Sequence, residues 1–252
     1  MNRSIKNDAG ESIDYSFASG DAALKKPGWL VVLGHGVTGN KDRPVVVDTA
    51  EALNAAGFDT LRFSFAGNGD SGGDFRDATI SKEVDDLRAV LDAVADTASD
   101  ICYIGHSMGA AVGVLTAAKD RRIKALVSLA GMIDTKTFAN TEFGSETPDA
   151  GVMWEEESCP LSSAFMRDLC ETIESVAPHV SSVQAPWLLL HGSADDVVLP
   201  RDTEQVQSIK GDAVKAVFIE GADHSFNESA HKATMTEAVV SWLGQLASQR
   251  AG

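Results

Sequence analysis

Basic residues are scarce in this chain. Twenty-one lysines and arginines stand against 37 aspartates and glutamates, a formal net charge of −16 over 252 residues. Such a chain repels phosphate backbones and the anionic face of a membrane, so nucleic acid and lipid surfaces are not expected partners. Cysteine is nearly absent: Cys102, Cys159 and Cys170 are odd in number and form no paired motif. That argues against a disulfide scaffold, matches no zinc-ligand spacing and points to a reducing compartment. Long apolar runs are also missing. The longest near the start is Trp29–Leu33, far short of the roughly 20 residues a membrane-spanning helix needs. The first residues carry Arg3, Lys6, Asp8 and Glu11 without the apolar stretch of a secretory leader. The expected location is the cytoplasm. No repeat or linker breaks the chain, so one domain is expected over 1–252.

What is present is an alternation of apolar strands and amphipathic helices. Ser12–Phe17 reads as a half-exposed edge strand, and Trp29–Leu33 as a strand buried on both faces. A helix is expected from Val45 to Ala56, with Pro44 in its first turn and Gly57 stopping it. Phe58–Phe65 follows as a strand with Leu61, Phe63 and Phe65 on one face. A long helix over Thr79–Ala98 buries Ile80, Val84, Leu87, Leu91 and Val94, with Thr79 or Ser81 as its cap. Further strands are read at Ile123–Ala130, Trp187–Leu190 and Ala216–Ile219, and helices at Arg201–Lys210 and Glu228–Ala247. The last helix is expected to bury Ala238, Val239, Trp242, Leu243 and Leu246. Residues 132–183 break the rhythm and read as a cap or lid insertion, with a helical pattern near Ala164–Val176 and a solvated cluster Glu155–Glu157. The fold class is α/β: a mostly parallel twisted sheet with helices on both faces. Sites in such sheets lie at the carboxyl ends of the strands.

The chemistry gathers around Ile101-Cys102-Tyr103-Ile104-Gly105-His106-Ser107-Met108-Gly109. This is a strand, a sharp turn and a helix of small residues. Gly105-x-Ser107-x-Gly109 matches a nucleophile elbow, where side chains two places before and after the serine would strike the neighbouring strand and helix. A serine hydroxyl needs a general base, and the base needs an orienting acid. His224, after the last strand, and Asp195, after the strand before it, reach the same sheet edge. Asp196 is the alternative acid; Asp195 is preferred by its spacing from His191-Gly192. His35 and His191 read as loop braces, and His106 as packing under the elbow. The loop after Trp29–Leu33 would offer the Val37 amide to an oxyanion, together with the Met108 amide at the helix start. Gly67-x-Gly69-x-x-Gly72 mimics a dinucleotide fingerprint, but no helix opens directly after it, and a rim-shaping turn is the better reading.

Five segments together resemble the α/β-hydrolase superfamily over nearly the whole chain: His35–Lys41, Arg62–Ser71, the elbow, His191–Asp195 and Gly221–His224. The first two resemble the branch of cinnamoyl and feruloyl esterases and related small-acyl carboxylesterases. The resemblance implies an α/β-hydrolase fold with an inserted lid and a serine esterase acting through an acyl-enzyme on a small-molecule ester, without metal or organic cofactor. The same residues would also serve a thioesterase, an amidase or a peptidase. A non-catalytic binding module would show a broken triad or a blocked oxyanion loop, and neither is seen.

Overall fold

Strand residues alternate between two cores. Residues 3–250 of the computed structural model are described. The chain opens with β1 (Ile5–Lys6), β2 (Ser12–Ile13) and β3 (Tyr15–Ala18), then β4 (Trp29–Gly34), α1 (Pro44–Ala55), β5 (Asp59–Phe63), α2 (Ile80–Val94) and β6 (Asp100–His106). There follow α3 (Met108–Ala117), β7 (Ile123–Leu129), α4 (Thr135–Phe143), α5 (Ser163–Arg167) and α6 (Ala177–Val180). The chain closes with β8 (Trp187–Gly192), α7 (Arg201–Lys210), β9 (Val214–Ile219) and α8 (Ser229–Arg250). Along β4, Leu30 and Val32 face one core while Trp29, Val31 and Leu33 face the other. Along β6, Tyr103 faces the first core and Cys102 and Ile104 the second. This period of two, repeated in β7 and β8, is what a sheet covered on both sides demands. Helices α2 and α3 cover the first face, and α1 and α8 the second.

The seven strands run in the order β3-β5-β4-β6-β7-β8-β9, all parallel except β3. After β4 the chain builds outward to β5, then crosses back over β4 to lay down β6. The direction of winding therefore reverses between β4 and β6, and the loops after these two strands flank the crevice where open α/β sheets bind ligands.

The structure refines several expected elements. Ser12–Phe17 is two strands rather than one. β2 pairs with β1 in a separate ribbon, and only β3 joins the main sheet. Helix α2 starts after Thr79, whose hydroxyl accepts from Lys82 N, so Ser81 is not the cap. It ends at Val94, four residues early, because Thr97 turns back and donates both N–H and Oγ1–H to the Val94 carbonyl. In α8 the innermost ridge is Met235, Val239, Leu243 and Ala247, an i, i+4 line; Ala238, Trp242 and Leu246 are half-buried beside it. Residues 132–183 connect β7 to β8. The helical pattern near Ala164–Val176 becomes α5 followed by a π-helical turn over Asp168–Ile173. Asp202 ties the segment to the body by accepting from the Ile133 and Asp134 amides. Asp168 ties it to α2 by accepting from Ser81 N and Oγ. Among the described residues no helix is long and apolar enough to cross a membrane.

Candidate active site

Ser107 sits at the tip of the β6–α3 turn with φ 53° and ψ −120°, a region non-glycine residues rarely occupy. Its neighbours must be glycine for steric reasons visible in the structure. A Cβ on Gly105 would overlap the Gly109 carbonyl, and one on Gly109 would overlap the His35 carbonyl on β4's exit loop. Tyr103, fully buried, fills the space beneath and donates its hydroxyl to Gly109 O at 3.0 Å, fixing the first turn of α3. Gly36 lets the loop after β4 press against Ser107: a Cβ there would stand 2.8 Å from Ser107 Cβ.

Asp195 is 3% exposed and Asp196 lies in solvent. Asp195 Oδ1 accepts the Val197 and Val198 amides, each at 3.0 Å. Its Oδ2 faces His224 Nδ1 at 2.9 Å and His191 Nε2 at 3.2 Å. Burial alone would raise the Asp195 carboxyl; the bonds from His191 and His224 and their charge outweigh it and hold it well below the usual carboxylate range. The sequence reading of His191 as a brace is half of its role. It does bridge Thr203 Oγ1 and Val198 O, and it also presses on Asp195.

Partners fix every buried tautomer. His224 Nδ1 faces a carboxylate, so it carries the hydrogen and Nε2 is left basic. His191 Nε2 faces Val198 O and Asp195, so Nε2 carries the hydrogen and Nδ1 accepts from Thr203. His35 Nδ1 donates to Gly36 O at 2.8 Å, and its Nε2 accepts the Phe65 amide at 3.0 Å; burial pushes its pKa down to about 4. His106 is not under the elbow. That place belongs to Tyr103, and His106, of opposite parity along β6, turns toward His224. Its Nε2 lies 3.0 Å from His224 O and its ring centroid 4.9 Å from the His224 ring. Burial, with the charge of His224 beside it, pushes His106 down to about 3.

A cleft of about 520 Å³ holds Ser107 and the half-buried His224, with Val37 on its wall. Among the described residues, neither the Val37 nor the Met108 amide donates to another group. Ser107 Oγ likewise has no hydrogen-bond partner, and His224 stands beside it in the cleft without bonding it. Catalytic hydrogen bonds are commonly long until substrate binds. Arg43 and Trp154 are among the wall residues to which the sequence alone gives no role. Trp154 is 44% exposed. It sits at φ 49°, its indole N–H bonds Glu142 at 2.8 Å, and its ring leans on Phe143 with centroids 4.9 Å apart. A lone tryptophan beside Glu155–Glu157, themselves exposed as expected, was the available signal. The glycine-rich segment is a turn, closed by Gly67 N donating to Gly72 O at 2.8 Å. Among the described residues no cluster of His, Cys, Asp or Glu is arranged to hold a metal ion.

The family model described as serine aminopeptidase, S33, matches residues 25–146, a little under half of the chain. The chain is 24% identical over 216 residues to the bovine (Bos taurus) mitochondrial palmitoyl-protein thioesterase ABHD10, covering 82% of this chain and 69% of that protein. It superposes on esterase Est1E of Butyrivibrio proteoclasticus, solved with ferulic acid bound, with a TM-score of 0.85 and 28% identity over 97% of this chain and 98% of that one. The esterase domain of a Rhodothermus marinus protein shares the fold, with a TM-score of 0.72 at 19% identity over 95% of each chain. The matched family segment includes the elbow and the structural likeness covers nearly the whole chain, so the fold is that of the α/β hydrolases and the chain is similar to serine hydrolases of the esterase type.

Proposed function

We propose that the protein cleaves carboxylic esters through an acyl-enzyme, with Ser107, His224 and Asp195 as its triad. His224 Nε2 takes the Ser107 hydroxyl proton as Oγ attacks the ester carbonyl. The Val37 and Met108 amides donate to the oxyanion, and such a donor is typically worth about 2.7–4 kcal/mol at the transition state. The intermediate collapses, the C–O bond to the alcohol breaks, and the imidazolium returns its proton to the departing oxygen. Water, deprotonated by His224, then attacks acyl-Ser107 and frees the acid.

The observation that carries this reading is the His224 Nδ1–Asp195 Oδ2 bond of 2.9 Å, which leaves a basic Nε2 in the cleft that contains Ser107. The two undonated amides support the oxyanion assignment, and the apolar Val37, Val45 and Trp154 on the wall suit a small acyl or aromatic ester. A thioester substrate is the second reading, favoured by the likeness to a palmitoyl-protein thioesterase.

Hydrolysis of 4-nitrophenyl acetate and butyrate by wild type and Ser107→Ala, with folding followed by circular dichroism, tests the proposal. Turnover lost in a folded variant, together with fluorophosphonate labelling of wild type only, is the expected result. Wild type without turnover or labelling would overturn it. Comparing kcat/KM for an ester and a thioester of one acyl chain separates the two readings.

A further inference from the structure

The hydrolytic cycle leaves one charged side chain of the cleft without a task. Among the described residues, Arg43 is the only lysine or arginine on the wall that also holds Ser107 and His224. Arg43 is exposed where it lines the cleft, and in a chain with 37 carboxylates and 21 basic residues an acid is readily at hand for it. Its near neighbours take one: Lys41 and Arg62 both engage Asp42, at 2.7 and 2.9 Å. Among the described residues Arg43 forms no ion pair. Glu156 feels the Arg43 charge without forming an ion pair with it, and its carboxylate accepts from Ser158 N and Oγ at 3.3 and 2.9 Å.

Arg43 is nevertheless held in place. It precedes Pro44, which confines it to extended backbone, and it lies at φ −60° and ψ 136°. Its Nη2 donates to Thr38 O at 2.9 Å, one residue beyond Val37. One N–H is thereby used, and the rest of the guanidinium's donors stay available. A planar guanidinium edge matches a carboxylate in geometry as well as charge. Arg43 is also the residue that opens α1, whose first turn contains no acid, so the helix end adds positive potential of the same sign. The overall charge of −16 repels anions on approach. A neutral ester needs no help against that field, whereas an anionic one does.

We propose that Arg43 selects esters carrying a carboxylate close to the scissile bond, so that the substrate class is a half-ester or an acidic-alcohol ester rather than a wholly neutral one. This rests on the esterase reading of the Ser107 site. The carboxylate can belong to the acyl or the alcohol part, and two substrate pairs tell these apart. Mono-4-nitrophenyl adipate against 4-nitrophenyl hexanoate probes the acyl side. 4-Acetoxybenzoate against its methyl ester probes the leaving group.

The quantity read is the ratio of kcat/KM for the anionic ester over that for its neutral counterpart, in wild type, Arg43→Lys and Arg43→Met. In one pair this ratio falls about 10- to 100-fold in Arg43→Met, as expected for a lost charged hydrogen bond, and recovers in part in Arg43→Lys. Raising the ionic strength lowers the wild-type ratio in the same pair and leaves that of Arg43→Met flat. A ratio within twofold of wild type in both pairs would overturn the proposal while leaving the esterase reading intact. So would an equal fall of both members of each pair, because that is what loosening the Thr38 loop alone produces. Wild type that turns over none of the four esters overturns both.

Discussion

Replacing Asp195 by Asn removes one charge while keeping nearly every contact. Asn Oδ1 still accepts the Val197 and Val198 amides, so the turn that carries residue 195 keeps its bonds. The new amide group, however, faces two donors, His224 Nδ1–H and His191 Nε2–H. His224 resolves the conflict by moving its hydrogen to Nε2, and the nitrogen that should take the serine proton is then occupied. Two effects add. Opposite charges about 4 Å apart interact by about 4 kcal/mol at an effective dielectric near 20, and losing that support for the imidazolium slows the chemical step about 10³-fold. The wrong tautomer brings the total toward about 10⁴. The assay is kcat on 4-nitrophenyl acetate with the melting temperature measured alongside. A folded Asp195→Asn enzyme within tenfold of wild type would refute the reasoning, and Asp196→Asn is the control, since that side chain is exposed.

Two further predictions concern what surrounds the site. Glu83 is buried in α2 with Oε2 unpartnered; burial, and then Asp86 and Asp168 beside it, push its pKa well up despite Lys82. The native chain holds this proton where the unfolded chain has lost it, so stability falls as pH rises above the ordinary glutamate range, by up to about 1.4 kcal/mol per unit until Glu83 ionises in the fold. Glu83→Gln should therefore melt higher than wild type at pH 7, by a margin that grows between pH 5 and 7.5; melting curves that stay parallel across that range would count against it. Gly109→Ala, whose Cβ would overlap His35 O and stand 3.1 Å from Gly34 O, should lose about 1–3 kcal/mol in urea unfolding and displace the Met108 amide; unchanged stability would mean α3 can slide off β4.

The strands, their order of use and the residues at their carboxyl ends were legible because they follow rules local to the sequence. Buried strands read as apolar runs, and the elbow glycines are dictated by contacts that any tight strand–helix turn makes. Residues 132–183 were not legible in the same way. Trp154 reaches the cleft through a left-handed backbone position and a bond to Glu142 twelve residues away, and no periodicity encodes that. Glu83 falls within the apolar stripe of α2, three residues after Ile80 and four before Leu87, and Asp86 flanks it; both are buried, and neither is of a type that hydrophobic periodicity marks as core. Asp86 accepts from Asn7 Nδ2 and from Ala66 N, partners 79 and 20 residues distant. Arg43 belongs to the same class. Its neighbours in sequence are ordinary, and its meaning arises only when the β4 and β6 loops close on one crevice.

Five of the six histidines must also be kept from acting as the base, and the fold does this by partner and by burial. His35 and His106 are pushed down to about 4 and 3, so both are neutral at pH 7. That matters most for His106, whose ring lies 4.9 Å from that of His224. A charge there would oppose the charge that His224 would acquire on taking the serine proton in the proposed cycle. His191 is tied at both nitrogens. His179 and His231 do not line the cleft. Only His224 combines a bond to a buried carboxylate with a free nitrogen in the cleft, and that combination, more than the presence of histidine near serine, is what the proposed mechanism rests on.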